Sequence, residues 1–136
     1  MRKFRDETSA QTFRRWHEFV KTSKSEILDE ILADEVKFHS PFVWKPKTGK
    51  ATAIGILLAA MAVFQDFRYV REITNENHWA LEFEARVGEF SLRGIDLIET
   101  NEAGKIVDLE VMIRPANALQ MLGAEMNRRL TAETSE

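Results

Sequence analysis

The chain has 136 residues, enough for one domain that buries a sizeable core without cross-links. It contains no cysteine, which excludes disulfides, thiolate metal sites and cysteine nucleophiles. Acidic residues outnumber basic ones, 22 to 19, and the formal charge of -3 argues against nucleic acid as a partner.

The N-terminal sequence lacks an apolar segment followed by a small-residue cleavage site, so we expect no secretory signal and a cytoplasmic protein. The longest apolar run, residues 53–64, has 12 residues, whereas a membrane-spanning helix needs about 20. We therefore expect no membrane partner and a buried helix at this run.

The first half of the chain is mostly helical in pattern. Thr8 and Gln11 form a capping-box pattern, and Ser25 is placed to cap a second helix. Apolar residues recur at helical spacing after each cap, and one short stretch alternates with period two. The predicted elements are helices over 9–22 and from 25, a strand over 36–40, and a nearly all-apolar helix over 50–67.

The second half changes to the period of two that is typical of strands, with turn residues at 88–89 and 101–104. Pro115 ends the last strand, and a final amphipathic helix follows it. We expect residues 1–7 and 131–136 to be frayed. The predicted elements are strands over 68–74, 78–87, 90–99 and 105–114 and a helix from about 119 to 130.

Helices followed by a run of strands predict one α+β domain over residues 1–136, with a curved antiparallel sheet wrapped around the helices. Strand alternation places Asp96 on the apolar inner face, the only carboxylate in that set. The opposite face carries Ile95, Leu97 and Met112 with no helix left to cover it. This pattern predicts a homodimer.

Three segments carry a family resemblance: residues 32–41 (LADEVKFHSP), 93–99 (RGIDLIE) and 101–107 (NEAGKIV). In these segments and in the order of its helices and strands, the sequence resembles one cystatin-like α+β family. That family includes nuclear transport factor two, ketosteroid isomerase, limonene epoxide hydrolase and the SnoaL-type polyketide cyclases. The resemblance implies a conical α+β barrel, a single SnoaL-like domain and an apolar pocket. It implies no single activity, because this fold hosts several.

The resemblance to ketosteroid isomerase can be followed at three positions. The general-base aspartate of that enzyme precedes a Pro-Phe pair, where this chain has Ser40. Its oxyanion-hole tyrosine corresponds to Trp16, and its oxyanion-hole aspartate to Asp96. Because a serine hydroxyl does not collect a proton near neutral pH, we do not expect steroid isomerase activity.

Asp96 is the candidate catalytic residue. An apolar cavity raises the pKa of a carboxyl group, which would let Asp96 donate a hydrogen bond to a ligand carbonyl. The alternative is a structural aspartate that is bonded to Trp16, water or backbone amides. His17 and His39 are read as structural, although either could reach the pocket. The histidine spacing predicts no metal site, and no nucleotide-binding motif indicates a cofactor.

Residues on inner-face positions are predicted to line the pocket, although aromatic residues there are more often ordinary core. The expected ligand is an apolar small molecule that carries a carbonyl. The chain is then either an isomerase- or cyclase-like enzyme or a non-catalytic binding or interaction module. The predicted pocket residues are Trp16, Phe38, Ser40, Tyr69, Trp79, Phe83, Val111 and Ile113.

Overall fold

The computed structural model describes residues 3–134, over which four helices pack on one six-stranded curved sheet. The helices are α1 (Glu7–Thr22), α2 (Ser25–Ile31), α3 (Lys50–Val63) and α4 (Ala116–Thr134). The strands are β1 (Leu32–His39), β2 (Lys47–Thr48), β3 (Gln65–Asn75), β4 (His78–Val87), β5 (Phe90–Thr100) and β6 (Ile106–Arg114). The predicted α+β fold is confirmed.

The sheet has the strand order β2-β1-β6-β5-β4-β3. Strands β3 to β6 pair antiparallel, as predicted, but β1 pairs with β6 in parallel, so the sheet is mixed. Strand alternation fixes the face of a residue and not the direction of its neighbour, which is why the sequence did not reveal this pairing.

The N-terminal segment packs closely against α1. Asp6, rather than Thr8, is the N-cap, and its carboxylate accepts a hydrogen bond from the Ser9 amide at 2.9 Å. The Phe4 ring packs against that of Phe13, with ring centroids 5.0 Å apart, within the segment 1–7 that was expected to fray. Helix α4 extends past the expected start of the frayed tail. Residues 1, 2, 135 and 136 lie outside the described residues.

Two predicted boundaries shift because apolar residues suit helices and strands alike. The predicted strand 36–40 begins four residues earlier, at Leu32, directly after α2. The predicted helix 50–67 ends at Val63, and β3 begins at Gln65. Phe67 consequently belongs to a strand, and its ring stacks on that of Phe83, with ring centroids 4.7 Å apart.

Two β-bulges decide which residues face inward. In β6, Asp108 pairs with Glu99 and Ile106 pairs with Thr100, so Val107 is the extra residue. Ile106 is therefore fully buried, although simple alternation places it on the outer face. A second bulge, at Val70 in β3, brings Tyr69 opposite Phe83 on the inner face.

Helix α4 packs against α3 and the inner face of the sheet with three buried residues, Ala118, Leu122 and Met126. On β5, Gly94 lets the Phe83 ring lie against the backbone, because a side chain there would overlap that ring. Among the described residues, no helix has the length and apolarity to cross a membrane.

Candidate functional site

A cavity of about 50 Å³ lies between the inner face of the sheet and the helices α1, α3 and α4. Most of the residues that line it are apolar. Asp96 is the only carboxylate residue in the described lining. The lining residues are Trp16, Phe19, Phe38, Ser40, Pro41, Phe42, Ile56, Leu57, Ala60, Met61, Phe64, Phe67, Tyr69, Phe83, Asp96, Val111, Ile113, Leu122 and Met126.

Asp96 is held on the inner face by its strand neighbours, because it pairs with Leu81 of β4 and Val111 of β6. Its residue exposure is 7%. The Tyr69 hydroxyl donates a hydrogen bond to Asp96 Oδ2 at 2.7 Å, and Trp16 Nε1 donates to the Tyr69 oxygen at 2.8 Å. Asp96 Oδ1 has no hydrogen-bond partner among the described residues, and Asp96 lines the cavity.

The protonation states of this group follow from burial. Burial raises the pKa of Asp96 to about 7, against the opposing effects of the Tyr69 hydrogen bond and the His17 charge. Burial, with the nearby Asp96 carboxylate, raises the pKa of Tyr69 well above its ordinary value. Near neutral pH, Tyr69 is therefore a neutral donor, and both forms of Asp96 are populated.

The two histidines considered from the sequence do not line the cavity. His17 Nε2 lies 2.7 Å from Glu72 Oε1, and its Nδ1 lies 2.8 Å from the Phe13 carbonyl oxygen. His39 Nε2 lies 3.1 Å from Asp108 Oδ2 on β6. Each histidine is thus engaged with a carboxylate.

Ser40 lines the cavity, but its hydroxyl is engaged locally. The Phe42 amide donates a hydrogen bond to Ser40 Oγ at 2.9 Å, which closes a short turn at the end of β1. The side chain therefore supports the loop that carries Phe42.

The structure brings most of the predicted site residues together around the cavity and leaves Trp79 apart. Trp79 is buried on the inner face, as its strand position predicts, but it packs under α1 against Phe4 and Phe13. It lies four residues from Phe83 along β4, about 13 Å in an extended strand. Strand alternation predicted that Trp79 faces inward. Its distance from the cavity along the sheet depends on the packing of α1. The predicted residues that do line the cavity are Trp16, Phe38, Ser40, Tyr69, Phe83, Asp96, Val111 and Ile113.

Several lining residues come from α3, the start of β3 and α4, and the sequence analysis did not assign them to the site. Their apolar spacing is that of ordinary core helices, so it carries no separate signal for a cavity. Phe42, from the Pro-Phe pair that follows Ser40, also lies in the wall. The unassigned residues with the largest side chains are Phe19 on α1, Ile56, Leu57 and Met61 on α3, Phe64 directly after α3, Phe67 on β3, and Leu122 and Met126 on α4.

Comparison with known proteins places this geometry in a family. A model described as the SnoaL-like domain matches residues 13–109. A steroid delta-isomerase from Pseudomonas aeruginosa is 38% identical, with a TM-score of 0.93, over 96% of this chain and 97% of its own. A cystatin-like-fold protein from Silicibacter pomeroyi is 35% identical, with a TM-score of 0.86, over 91% of this chain and 88% of its own.

More distant structures share the fold alone. An NTF2-like protein of unknown function from Mesorhizobium loti has a TM-score of 0.74 at 16% identity, over 85% of this chain and 98% of its own. Among curated proteins, no sequence matches this chain.

Replacing Tyr69 with phenylalanine should raise the pKa of Asp96 above about 7, because the phenol hydrogen bond stabilises the carboxylate. The change also leaves Trp16 Nε1 without its acceptor, and we expect a loss of about 1–3 kcal/mol in stability. Titration of the carboxyl carbon resonances measures the pKa, with the Asp108 resonance as an internal control. An unchanged or lower pKa of Asp96 would contradict the assigned geometry.

The raised pKa of Asp96 predicts that stability falls as pH increases from about 4 to 7. In this window the folded protein binds a proton that the unfolded chain has released, so raising the pH favours unfolding. The full effect is on the order of 4 kcal/mol. Urea unfolding of wild type and Asp96→Asn across this range isolates the contribution, since asparagine does not titrate. Parallel stability curves would contradict the prediction.

Proposed function

The chain belongs to the SnoaL-like domain family, and we propose that it binds an apolar, carbonyl-bearing small molecule around Asp96. The observation that carries this proposal is one carboxyl group buried in an apolar cavity, with Oδ2 bonded to Tyr69 and Oδ1 left free. An apolar wall selects an apolar ligand, and a protonated Oδ1 is a hydrogen-bond donor for a carbonyl oxygen.

The same carboxyl group supports an isomerase- or cyclase-like proton transfer. In its protonated form it donates to the carbonyl oxygen and stabilises negative charge that develops there. In its ionised form it can take a proton from the carbon next to the carbonyl and return it. A pKa of about 7 makes both forms available near neutral pH. The 38% identity to the Pseudomonas aeruginosa steroid delta-isomerase supports isomerase-type chemistry as a class.

Steroid isomerisation itself is not part of the proposal. Ser40 stands where the resembled enzyme has its base, and its hydroxyl accepts a bond from the Phe42 amide. Turnover of a β,γ-unsaturated steroid ketone that Ser40→Ala abolishes would show that this assignment is wrong.

A second candidate is a non-catalytic binding module. Many proton transfers between carbon atoms use an acid and a separate base. Within residues 3–134, the cavity wall contains no carboxylate besides Asp96, which favours this second candidate. Deuterium exchange separates the two candidates. An enzyme incorporates solvent deuterium next to the carbonyl of bound cyclohexanone and loses this activity in Asp96→Asn. A binding module gives no exchange above buffer.

Binding of the carbonyl should depend on pH through Asp96. Below about pH 7, wild type should bind cyclohexanone more tightly than methylenecyclohexane, which has the same shape without the oxygen, and the preference should fade above that pH. Asp96→Asn should keep the fold and a donor while losing the pH dependence. Asp96→Leu should stabilise the empty protein and lose the preference. Calorimetry with both probes measures this, and affinities indifferent to both substitutions would overturn the proposal.

We also propose that the outer face of the sheet forms a homodimer interface. Ile73 and Met112 are 59% and 46% exposed there, beside the half-buried Ile95 and Leu97. The nearby charges pair within the chain: Arg71 to Glu82 at 2.6 Å, and Arg68 to Glu84 at 2.6 Å. A face that is apolar and internally charge-balanced suits contact with its own copy.

Leu97→Glu should dissociate the proposed dimer, because it places a carboxylate in the centre of the apolar face. Sedimentation should give about twice the chain mass for wild type and the chain mass for the variant. Lys24→Glu, an exposed change at the N-cap of α2, is the charge control. Wild type that stays monomeric at tens of micromolar would contradict the proposal.

A further inference from the structure

A second hollow of about 500 Å³ lies directly beside the inner cavity, and we call it the outer pocket. Its walls come from α3, from α4 and from the chain between β1 and β2. Four residues line both spaces: Ser40, Phe42, Ile56 and Met126. The inner cavity has room for a few water molecules, whereas pockets for drug-sized ligands span about 300 to 1,000 Å³. The inner cavity therefore takes the carbonyl end of a ligand, and the rest of a long ligand must lie outside it.

We propose that the substrate is an elongated keto acid whose carbonyl meets Asp96, whose apolar chain fills the outer pocket and whose carboxylate meets Lys47. This inference rests on the proposed function, since it takes the Asp96 cavity as the carbonyl site. It adds a second subsite and a substrate class.

The apolar part of the outer pocket suits a hydrocarbon chain. Val43 is 49% exposed and Phe42 41% exposed, so a ligand that covers them removes apolar surface from water. Across the pocket, Met126 and Ile56 supply further apolar wall. Because the transfer of each methylene out of water favours binding, affinity should rise with chain length.

The charge at the outer pocket suits an anion. Lys47 is the only charged residue in its described lining, and it forms no ion pair with another described residue. An ammonium group beside an apolar wall favours a carboxylate on the end of the chain. Asn127 adds an amide to the same lining.

Phe42 lies in the wall that the two spaces share. Its ring contacts the backbone of α4 at Gly123, where an added Cβ would lie 3.0 Å from Phe42 Cε1. The residue lies in the irregular segment between β1 and β2, so its ring is held by this contact and not by a regular element.

The test uses 11-oxododecanoate, which has a methyl ketone at one end and a carboxylate at the other, with its methyl ester and with cyclohexanone as the short ketone. Wild type should bind the keto acid at least about tenfold more tightly than cyclohexanone. Lys47→Gln should weaken the keto acid about two- to fivefold and leave its ester unchanged. Lys45→Gln, a neighbouring exposed lysine outside the lining, is the matched control and should change neither.

Ala124→Leu should fill part of the outer pocket and weaken the keto acid and its ester about tenfold, because Ala124 lines that pocket and not the inner cavity, while unchanged cyclohexanone binding shows that the variant is folded. Asp96-dependent binding of cyclohexanone, with no gain for the long chain and no effect of Lys47→Gln, overturns this inference and leaves the proposed function intact. Long-chain binding that responds to Lys47→Gln and Ala124→Leu but ignores Asp96→Leu overturns the proposed function and, because the carbonyl is then elsewhere, this inference with it.

Discussion

The hydrogen bond from the Tyr69 hydroxyl to Asp96 is the interaction on which the cavity depends. A carboxyl group taken out of water without a partner costs several kcal/mol, so a buried aspartate persists only where the surroundings supply a donor. Tyr69 supplies that donor from β3, and Trp16 fixes the phenol from α1. One carboxyl group thus joins the first helix to the third and fifth strands.

The geometry of this chain of hydrogen bonds follows from irregularities in the sheet. The bulge at Val70 turns the Tyr69 side chain inward, opposite Phe83. Gly94, beside Asp96 on the same face, lets the Phe83 ring approach the strand. Bulges and strand glycines often re-aim side chains near functional sites, and here they set the distance between a phenol and a carboxyl group.

The same burial links stability to chemistry. A pKa near 7 means that the folded protein is less stable with the Asp96 carboxylate than with the neutral acid. A hydrophobic residue in its place would pack without that cost. A polar group in such a position is consistent with a binding or catalytic role. A single acid in an apolar wall is poorly suited to a structural ion pair.

Sheet alternation gives the protein two different surfaces from one set of strands. The inner residues of β4 and β5 line the cavity, and the outer residues of the same strands carry paired charges and half-buried apolar groups. Because each residue faces one side only, the two surfaces can be changed independently.

The sequence by itself determined the α+β order, the central strands and the inward position of Asp96, because these follow from local period and alternation. The alternation of β4 was uninterrupted, so its bounds were predicted to the residue. The resemblance carried by residues 32–41 and 93–107 added the family. These features depend on residues close together in the chain.

Tertiary structure alone decided the remaining features. The parallel pairing of β1 with β6, the buried position of Ile106 and the partnership of Tyr69 with Asp96 all depend on strand register and bulges. Register is set by contacts between residues far apart in sequence, and one inserted residue reverses every face beyond it. Trp79 is a further example. Strand alternation predicts that it faces inward, but its packing against α1 places it outside the cavity.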